Sequence, residues 1–223
     1  RTLCDDKGIL LIFDEMWTGF RMALGGAQQY FNIKPDLATY SKAIANGMPL
    51  SVLTGRRDIM SLIEKEVFFY GTFGGETLSL AAAKATITEM KEKNVIEYID
   101  FMGAKIKNGF NDLANLLRID FVKAIGYNFR TLVTFSPNAG NPLLLKSLLQ
   151  QEMIKRGILW GGFHNMSYSH TETEINYTLD AYYDSLQILK IAVENDAVEK
   201  MLMGKPVAPV FRRVGNFNTK PKI

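Results

Sequence analysis

The sequence predicts an α/β fold, because apolar runs of strand length alternate with segments of helical periodicity along its 223 residues. The run at residues 9–13 is continuously apolar and ends in Asp14 and Glu15. That pattern is typical of a strand buried on both faces of a parallel sheet. A glycine-rich stretch at residues 71–77 then leads into a helix with a small-residue face. Both features favour a sheet covered by helices.

The other elements of the first half are predicted from short runs and caps. Residues 2–7 have the pattern of the last turns of a helix, and Gly8 is suited to the left-handed position that ends it. We therefore expect further residues before Arg1. The remaining predictions here are a strand at 37–40 that ends in Ser41-Lys42, a strand at 51–54, and a helix at 58–66.

The second half continues the alternation after a polar break at residues 91–94, which predicts one domain at 1–92 and another at 93–223. Helical periodicity favours a helix over residues 95–117, and an apolar run favours a strand at 130–135. A helix is then predicted to begin at Asn141-Pro142 and to end at Arg156-Gly157, and a strand is predicted at 158–160. The last prediction is a helix that begins with the capping box Thr171-x-x-Glu174. Its apolar face holds Ile175, Leu179, Tyr182, Leu186, Leu189 and Val193.

Composition narrows the class of protein without giving a function. Apolar residues make up 47% and charged residues 22%, as in ordinary globular enzymes. The net charge of +3 is scattered, so nucleic acid is a poor partner, and the basic stretch with Arg212, Arg213, Lys220 and Lys222 is expected to be a solvated tail. No apolar run reaches the roughly 18 residues of a membrane span. A single cysteine, Cys4, excludes an intrachain disulfide and a thiolate metal cluster, and fits a reducing cytoplasm.

Asp14 and Lys42 both follow predicted strands, at the edge where open α/β sheets bind ligands. An acid and a lysine at such positions are, on spacing alone, more often surface charges. An amine that forms a Schiff base and a carboxylate that keeps a pyridine nitrogen protonated are what pyridoxal phosphate requires. An apolar strand ending in Asp-Glu is also typical of the Walker B segment of a P-loop ATPase. The partner motif GxxxxGK[ST] does not occur in this sequence.

Four runs taken in order resemble the class III pyridoxal-phosphate-dependent aminotransferases, and among those most of all glutamate-1-semialdehyde 2,1-aminomutase and its relatives. The runs are LLIFDEMWTGFR, ALGGAQQYFNIKPDLATYSKAIANGMPL, TGRRDIM and GTFGGETLSLAAAKATI. The resemblance is dense up to about Met90 and weaker beyond it. It implies fold type I, the fold of aspartate aminotransferase, with the later part of the large coenzyme domain followed by a small α+β domain.

The resemblance also implies roles for single residues. Lys42 would form the Schiff base and move the substrate proton, Asp14 would pair with the pyridine nitrogen, and Met16 would pack on one face of the ring. Thr72, after Gly71, would contact the phosphate of a neighbouring subunit, which implies a homodimer. Backbone amides at the start of the following helix would suit a phosphate.

Two departures accompany the resemblance. Gly74-Gly75-Glu76-Thr77 stands where the aminomutases have a Ser-Gly-Asn-Pro type of sequence. The upstream phosphate loop of the family and the aromatic residue on the other ring face are not in this sequence. The expected activity is amino-group transfer or migration on a small amino, keto or semialdehyde substrate, and a non-catalytic half-chain is the alternative. Among other candidates, His170 is expected to be structural, His164 has no assigned role, and Arg130 could meet a substrate carboxylate.

Overall fold

A computed structural model describes residues 1–208. The chain divides into two units, Arg1–Asp100 and Phe101–Ile223. The domain boundary predicted after residue 92 coincides with the end of a helix, whereas the units divide at residue 100. The basic stretch with Arg212, Arg213, Lys220 and Lys222 lies outside the described residues.

The first unit is built around a sheet of three strands in the order β1-β2-β3. Its elements are α1 (Thr2–Lys7), β1 (Ile12–Asp14), α2 (Gly26–Tyr30), β2 (Leu37–Tyr40), β3 (Val52–Gly55), α3 (Arg57–Met60) and α4 (Thr77–Glu92). Strands β1 and β2 are parallel, and β3 is antiparallel to β2. The strands expected at 37–40 and 51–54 are thus present, whereas the strand expected at 9–13 forms only at Ile12–Asp14. The helix expected at 58–66 is α3 followed by the 3₁₀ helix Ser61–Glu64.

The burial expected for the first strand is wrong. Ile9, Leu10 and Ile12 are 56%, 49% and 56% exposed. Among the described residues β1 pairs with β2 alone, so it is an edge strand with an uncovered side. The buried cluster of this unit lies further along instead, where Ala83 of α4 packs with Ile44, Ala45 and the β2 residues Ala38 and Tyr40. The small side chains of α4 allow this close approach.

The predicted glycine cap at the end of α1 is present. α1 ends at Gly8, which has φ 62° and ψ 33°, and the Gly8 N–H donates to the Asp5 carbonyl at 3.2 Å. A left-handed residue at this position costs glycine nothing because it has no Cβ.

The second unit holds an antiparallel sheet in the order β4-β5-β6, packed with long helices. Its elements, beginning with a helix that crosses the unit boundary, are α5 (Val95–Leu116), β4 (Val122–Tyr127), β5 (Arg130–Phe135), α6 (Pro142–Lys155), β6 (Phe163–Asn165) and α7 (Glu172–Glu194). The predicted strand at 158–160 is wrong and β4 was not predicted. β6 begins at Phe163 because its register opposite Leu132 of β5 starts there, and Leu159 is 93% exposed.

Caps and periodicity set the helices of the second unit as predicted. Asn141 Oδ1 accepts from the Leu143 N–H at 2.9 Å at the start of α6. The capping box is complete, since Glu174 Oε2 accepts from the Thr171 N–H at 2.7 Å and Thr171 Oγ1 accepts from the Thr173 N–H at 3.2 Å. Behind these caps, Ile175, Tyr182, Leu186 and Leu189 of the predicted apolar face of α7 are buried, whereas Leu179 and Val193 are only partly buried. The core of this unit also includes Phe110, Leu145, Leu148, Leu149 and Met153.

Candidate active site

Asp14 and Lys42 lie at the same edge of the first sheet. Asp14 is the last residue of β1 and pairs with Thr39 of the parallel strand β2. β2 ends at Tyr40, and Lys42 opens a 3₁₀ helix, Lys42–Ile44, directly beyond it. Because parallel strands end at the same edge, the register places the carboxylate and the amine beyond neighbouring carboxyl ends, where α/β proteins bind ligands.

The backbone of Lys42 is in an unusual conformation. Its φ is 48°, in the left-handed region that non-glycine residues rarely adopt. Ser41 before it donates from Oγ to the Leu50 carbonyl at 2.7 Å, which ties the two ends of the intervening turn together. Such strain concentrates at functional sites, where the surrounding structure holds a side chain in one direction.

The Lys42 side chain opens on a cavity of about 520 Å³. Its lining includes Lys42, Gly47, Pro49, Gly71 and Thr72. The Lys42 ammonium also lies 5.3 Å from the centre of the Trp17 ring, within the range of a cation–π contact. Trp17 is three residues beyond Asp14, so this contact connects the ends of the two strands.

The structure therefore brings three of the predicted site residues together, namely Lys42, Gly71 and Thr72. Asp14 and Met16 do not line that cavity. Asp14 is exposed, and its Oδ1 accepts from the Met16 N–H at 3.0 Å, while Oδ2 accepts no hydrogen bond from any described residue. Met16 itself is half-buried. One carboxylate oxygen of Asp14 is thus oriented by its own turn and the other is available to a ligand.

The expectation that amides at the start of α4 would suit a phosphate is not supported. Glu76 caps this helix: Oε1 accepts from the Leu78 N–H and Oε2 from the Ser79 N–H, both at 2.7 Å, and Oε2 also accepts from Ser79 Oγ at 2.5 Å. Hydrogen bonds to Ser79 are the largest cause lowering the pKa of Glu76, so the cap carries a negative charge. A second anion would compete with it for the same donors.

Two buried carboxylates in this unit were missed by the sequence reasoning. Glu15, only 1% exposed, accepts hydrogen bonds from the start of α2, and Asp36, 5% exposed, lies just before β2. Alternation along a strand could have indicated Glu15, because Asp14 and Glu15 must point to opposite faces.

Asp36 lies at the ends of the strands that are far from Asp14 and Lys42, namely the starts of β1 and β2 and the end of β3. It accepts from the Leu11 N–H at 2.8 Å and pairs with Arg1 at 2.8 Å and Arg56 at 2.9 Å. The Leu11 N–H, then Arg1 and Arg56, hold the pKa of Asp36 well below its ordinary value. Both oxygens are occupied, so Asp36 stabilises the sheet and is not available to a ligand.

The second unit holds the remaining candidates. His164 is buried between two hydroxyls, with Nδ1 2.5 Å from Thr131 Oγ1 and Nε2 2.7 Å from Tyr182 Oη. Burial lowers its pKa to about 4, so the ring is neutral near pH 7. His170 accepts through Nδ1 from the Ser167 N–H at 3.0 Å, a contact within one turn. The Arg130 guanidinium lies 4.8 Å from the centre of the Phe163 ring.

Neither a candidate metal site nor a candidate membrane-spanning helix occurs in the part of the chain that the structure describes. Within residues 1–208 there is no group of three or more His, Cys, Asp or Glu side chains that could hold a metal ion. Within the same residues, no helix combines the length and apolar character needed to cross a membrane.

The fold and the site together define an α/β protein in which Asp14 and Lys42 lie at the carboxyl ends of neighbouring parallel strands and Lys42 lines a cavity. The model of the class III aminotransferase family matches residues 1–172. The chain therefore belongs to the class III aminotransferases, and the P-loop ATPase alternative has no support.

Relatives in sequence include glutamate-1-semialdehyde 2,1-aminomutases from several organisms. The chain is 32% identical over 207 residues to that of Methanococcoides burtonii, covering 84% of this chain and 47% of the relative. It is 41% identical over 129 residues to that of Acetivibrio thermocellus, covering 56% of this chain and 29% of the relative. Overall the chain spans about half the length of the first of these relatives.

Similar solved structures confirm the fold type I architecture expected from the resemblance. The FumI protein of Sphingopyxis sp. MTA144, with pyridoxal phosphate, is 26% identical with a TM-score of 0.77, covering 88% of this chain and 46% of that one. The ornithine aminotransferase of Toxoplasma gondii is 22% identical with a TM-score of 0.73, covering 86% and 46%. The second of these likenesses concerns the fold alone.

Proposed function

We propose that this chain is part of a pyridoxal-phosphate-dependent enzyme that transfers or migrates an amino group on a small amino, keto or semialdehyde substrate. The observation that carries the proposal is the placement of Asp14 and Lys42 beyond the carboxyl ends of adjacent parallel strands, with Lys42 opening on a cavity. Family membership and the names of the relatives support the same activity.

The residues present fit the coenzyme at two points. The cavity of about 520 Å³ is within the usual size range of small-molecule sites. Lys42 and Asp14 are both exposed, and neither is neutralised by an ion pair with a described residue. Thr72 and Gly71 also line this cavity, although the role proposed for Thr72 is at the phosphate of a neighbouring subunit. Two points do not fit: Glu76 occupies the start of α4, and Asp14 and Met16 lie outside the lining of the cavity.

When bound, pyridoxal phosphate supplies an aldehyde that condenses with amines and a ring that accepts electrons. We assign Lys42 as the amine that holds the coenzyme and then moves the substrate proton. Asp14 would keep the pyridine nitrogen protonated through its available oxygen, and Met16 would pack on the ring. The Thr72 hydroxyl would donate to the phosphate of the coenzyme in a neighbouring subunit.

A homodimer and a domain assignment belong to the same proposal. Residues around Thr72 are unusually open, since the large side chains of Phe68, Phe69, Tyr70 and Phe73 are all more than 60% exposed. Apolar patches of this kind mark interaction surfaces. We assign this segment to a homodimer contact, residues 1–92 to the later part of the coenzyme domain and 93–223 to the small domain, in a cytoplasmic enzyme.

The test is titration of the protein, expressed from its complete reading frame, with pyridoxal phosphate. A visible absorbance band should form and should be lost in Lys42→Ala. Lys34→Ala, which removes an exposed lysine of the same unit, is the matched control and should keep the band. A non-catalytic chain would bind no coenzyme or would form a band that survives in Lys42→Ala.

A further inference from the structure

Glu15 is a buried acid beside an exposed one. It directly follows Asp14, yet it is 1% exposed whereas Asp14 faces solvent. Its backbone N–H donates to the Thr39 carbonyl at 2.9 Å, so the ladder between β1 and β2 continues through it. Adjacent residues in an extended segment point to opposite faces. The direction of the Asp14 side chain is therefore coupled to the anchoring of Glu15.

The anchoring of Glu15 is extensive. Oε2 accepts from the Ala27 N–H at 2.9 Å and from the Thr18 hydroxyl, and Oε1 accepts from the Gln28 N–H at 2.8 Å. A carboxylate is costly to bury unless such donors compensate the loss of water. Gly26 has φ 78°, and a Cβ there would lie 2.5 Å from Glu15 Oε2. The backbone can approach this carboxylate only because residue 26 is glycine.

The same loop reaches the end of the neighbouring strand. The Gln28 side-chain amide donates to the Tyr40 hydroxyl, and that hydroxyl donates to the Gly25 carbonyl at 3.4 Å. Tyr40 is the buried last residue of β2, two positions before Lys42. Burial, and then the negative charge of Glu15, raise the pKa of Tyr40, so its hydroxyl stays protonated and able to donate.

We infer that Glu15 is a positioning residue that sets the separation of the Asp14 carboxylate and the Lys42 amine. Through Thr18, the start of α2, Gln28 and Tyr40, it links the ends of β1 and β2 from the buried side. This inference rests on the proposed function, because it concerns the same two groups. A misplacement of about 1 Å at a reacting centre can cost on the order of 100-fold in rate.

The test compares Glu15→Gln with Asp36→Asn in the protein expressed from its complete reading frame. Both remove a buried carboxylate charge, but Asp36 lies at the opposite ends of the same strands. We expect Glu15→Gln to raise the Kd of pyridoxal phosphate by roughly tenfold and to shift the midpoint pH of the Lys42-dependent absorbance band by about half a unit or more. Asp36→Asn should lower Tm but keep the midpoint pH of the parent.

The outcomes separate the two proposals. A parent protein without a Lys42-dependent band contradicts the proposed function. A parent with that band, together with an unchanged midpoint pH in Glu15→Gln or an equal shift in Asp36→Asn, overturns the positioning role. If Glu15→Gln does not fold, Thr18→Val removes a single donor to Glu15 and replaces it in the comparison. The midpoint pH of the absorbance band in Thr18→Val should differ from that of the parent. An unchanged midpoint in this variant overturns the inference as well.

Discussion

The two units of the chain differ in how they bury their apolar side chains. In the second unit, large side chains such as Phe110, Tyr182 and Leu186 are almost completely enclosed. In the first, Ile12 on the edge strand, Ile9 just before it and Phe68 are more than half exposed. The proposed chemistry lies entirely in the more open unit. The exposed apolar surface beside the cavity supports the contact surface proposed for this unit.

Their buried polar groups differ in the same way. In the second unit the ring of His164 is neutral and accepts or shares hydrogen bonds with two hydroxyls. In the first unit Glu15 and Asp36 accept hydrogen bonds from backbone N–H groups. Glu15 does so at the carboxyl ends of β1 and β2, and Asp36 does so at their starts. The hydrogen bonds of His164 therefore lie within a packed core, whereas those of Glu15 and Asp36 lie at the ends of the strands that carry the candidate site.

The largest effect on stability should come from the core of the second unit. Phe110→Ala removes a fully buried ring that packs edge to face on Tyr182 at 4.8 Å, and should lower the free energy of unfolding by about 3–5 kcal/mol. Phe68→Ala, at a side chain 91% exposed, should change it by less than about 0.5 kcal/mol. Chemical denaturation of both variants measures this contrast, and equal effects would contradict the comparison of the units.

The next effect is the pH dependence that His164 confers. The unfolded ring takes up a proton near pH 6.5, whereas burial lowers the folded pKa to about 4. The stabilisation is therefore complete above pH 6.5 and is lost as the pH falls towards 4, by up to about 3 kcal/mol. Unfolding curves of the parent and His164→Gln between pH 7 and 4 should diverge accordingly. Parallel curves would show that folding does not shift the pKa of His164.

A smaller effect, on turnover, is expected in the first unit. Asp14→Asn removes the charge proposed to keep the coenzyme ring protonated and should lower kcat by roughly 100-fold, or about 2.7 kcal/mol in activation free energy. Tm should stay close to that of the parent because Asp14 is exposed. Asp6→Asn, an exposed acid in α1, is the control. Steady-state kinetics with an amino donor measures the difference, and a near-normal rate would remove Asp14 from its proposed role.

The smallest effect concerns a helix cap. Thr171→Ala removes the side chain that accepts from the Thr173 N–H at the start of α7, and should cost about 1 kcal/mol of unfolding free energy. Thr173→Ala changes an exposed threonine that contributes only its backbone to this cap, so it should change that energy much less. Thermal unfolding of the pair measures the contribution of the cap. Indistinguishable values would show that the capping box adds little to this helix.

Much of the local structure could be predicted from the sequence. The Gly8 cap, the Asn141 cap and the capping box at Thr171 involve neighbours within a few residues, so the chemistry is visible in the sequence itself. The strand at 37–40 and its position before Lys42 were also predicted correctly. The roles of Asp14, Met16, Lys42, Gly71 and Thr72 stay predictions that the proposed experiments address.

Other features depend on which segments meet in space. The amino-acid sequence by itself determined the alternation of helices and strands, the caps at Gly8, Asn141 and Thr171, and the family motifs, because each depends on residues close along the chain. Only the tertiary structure decided that β1 is an exposed edge, that Phe163 rather than Ile158 starts a strand, and that Glu15 is buried beneath α2. The physical reason is that pairing partners and burial arise from contacts between distant segments, which no local pattern contains.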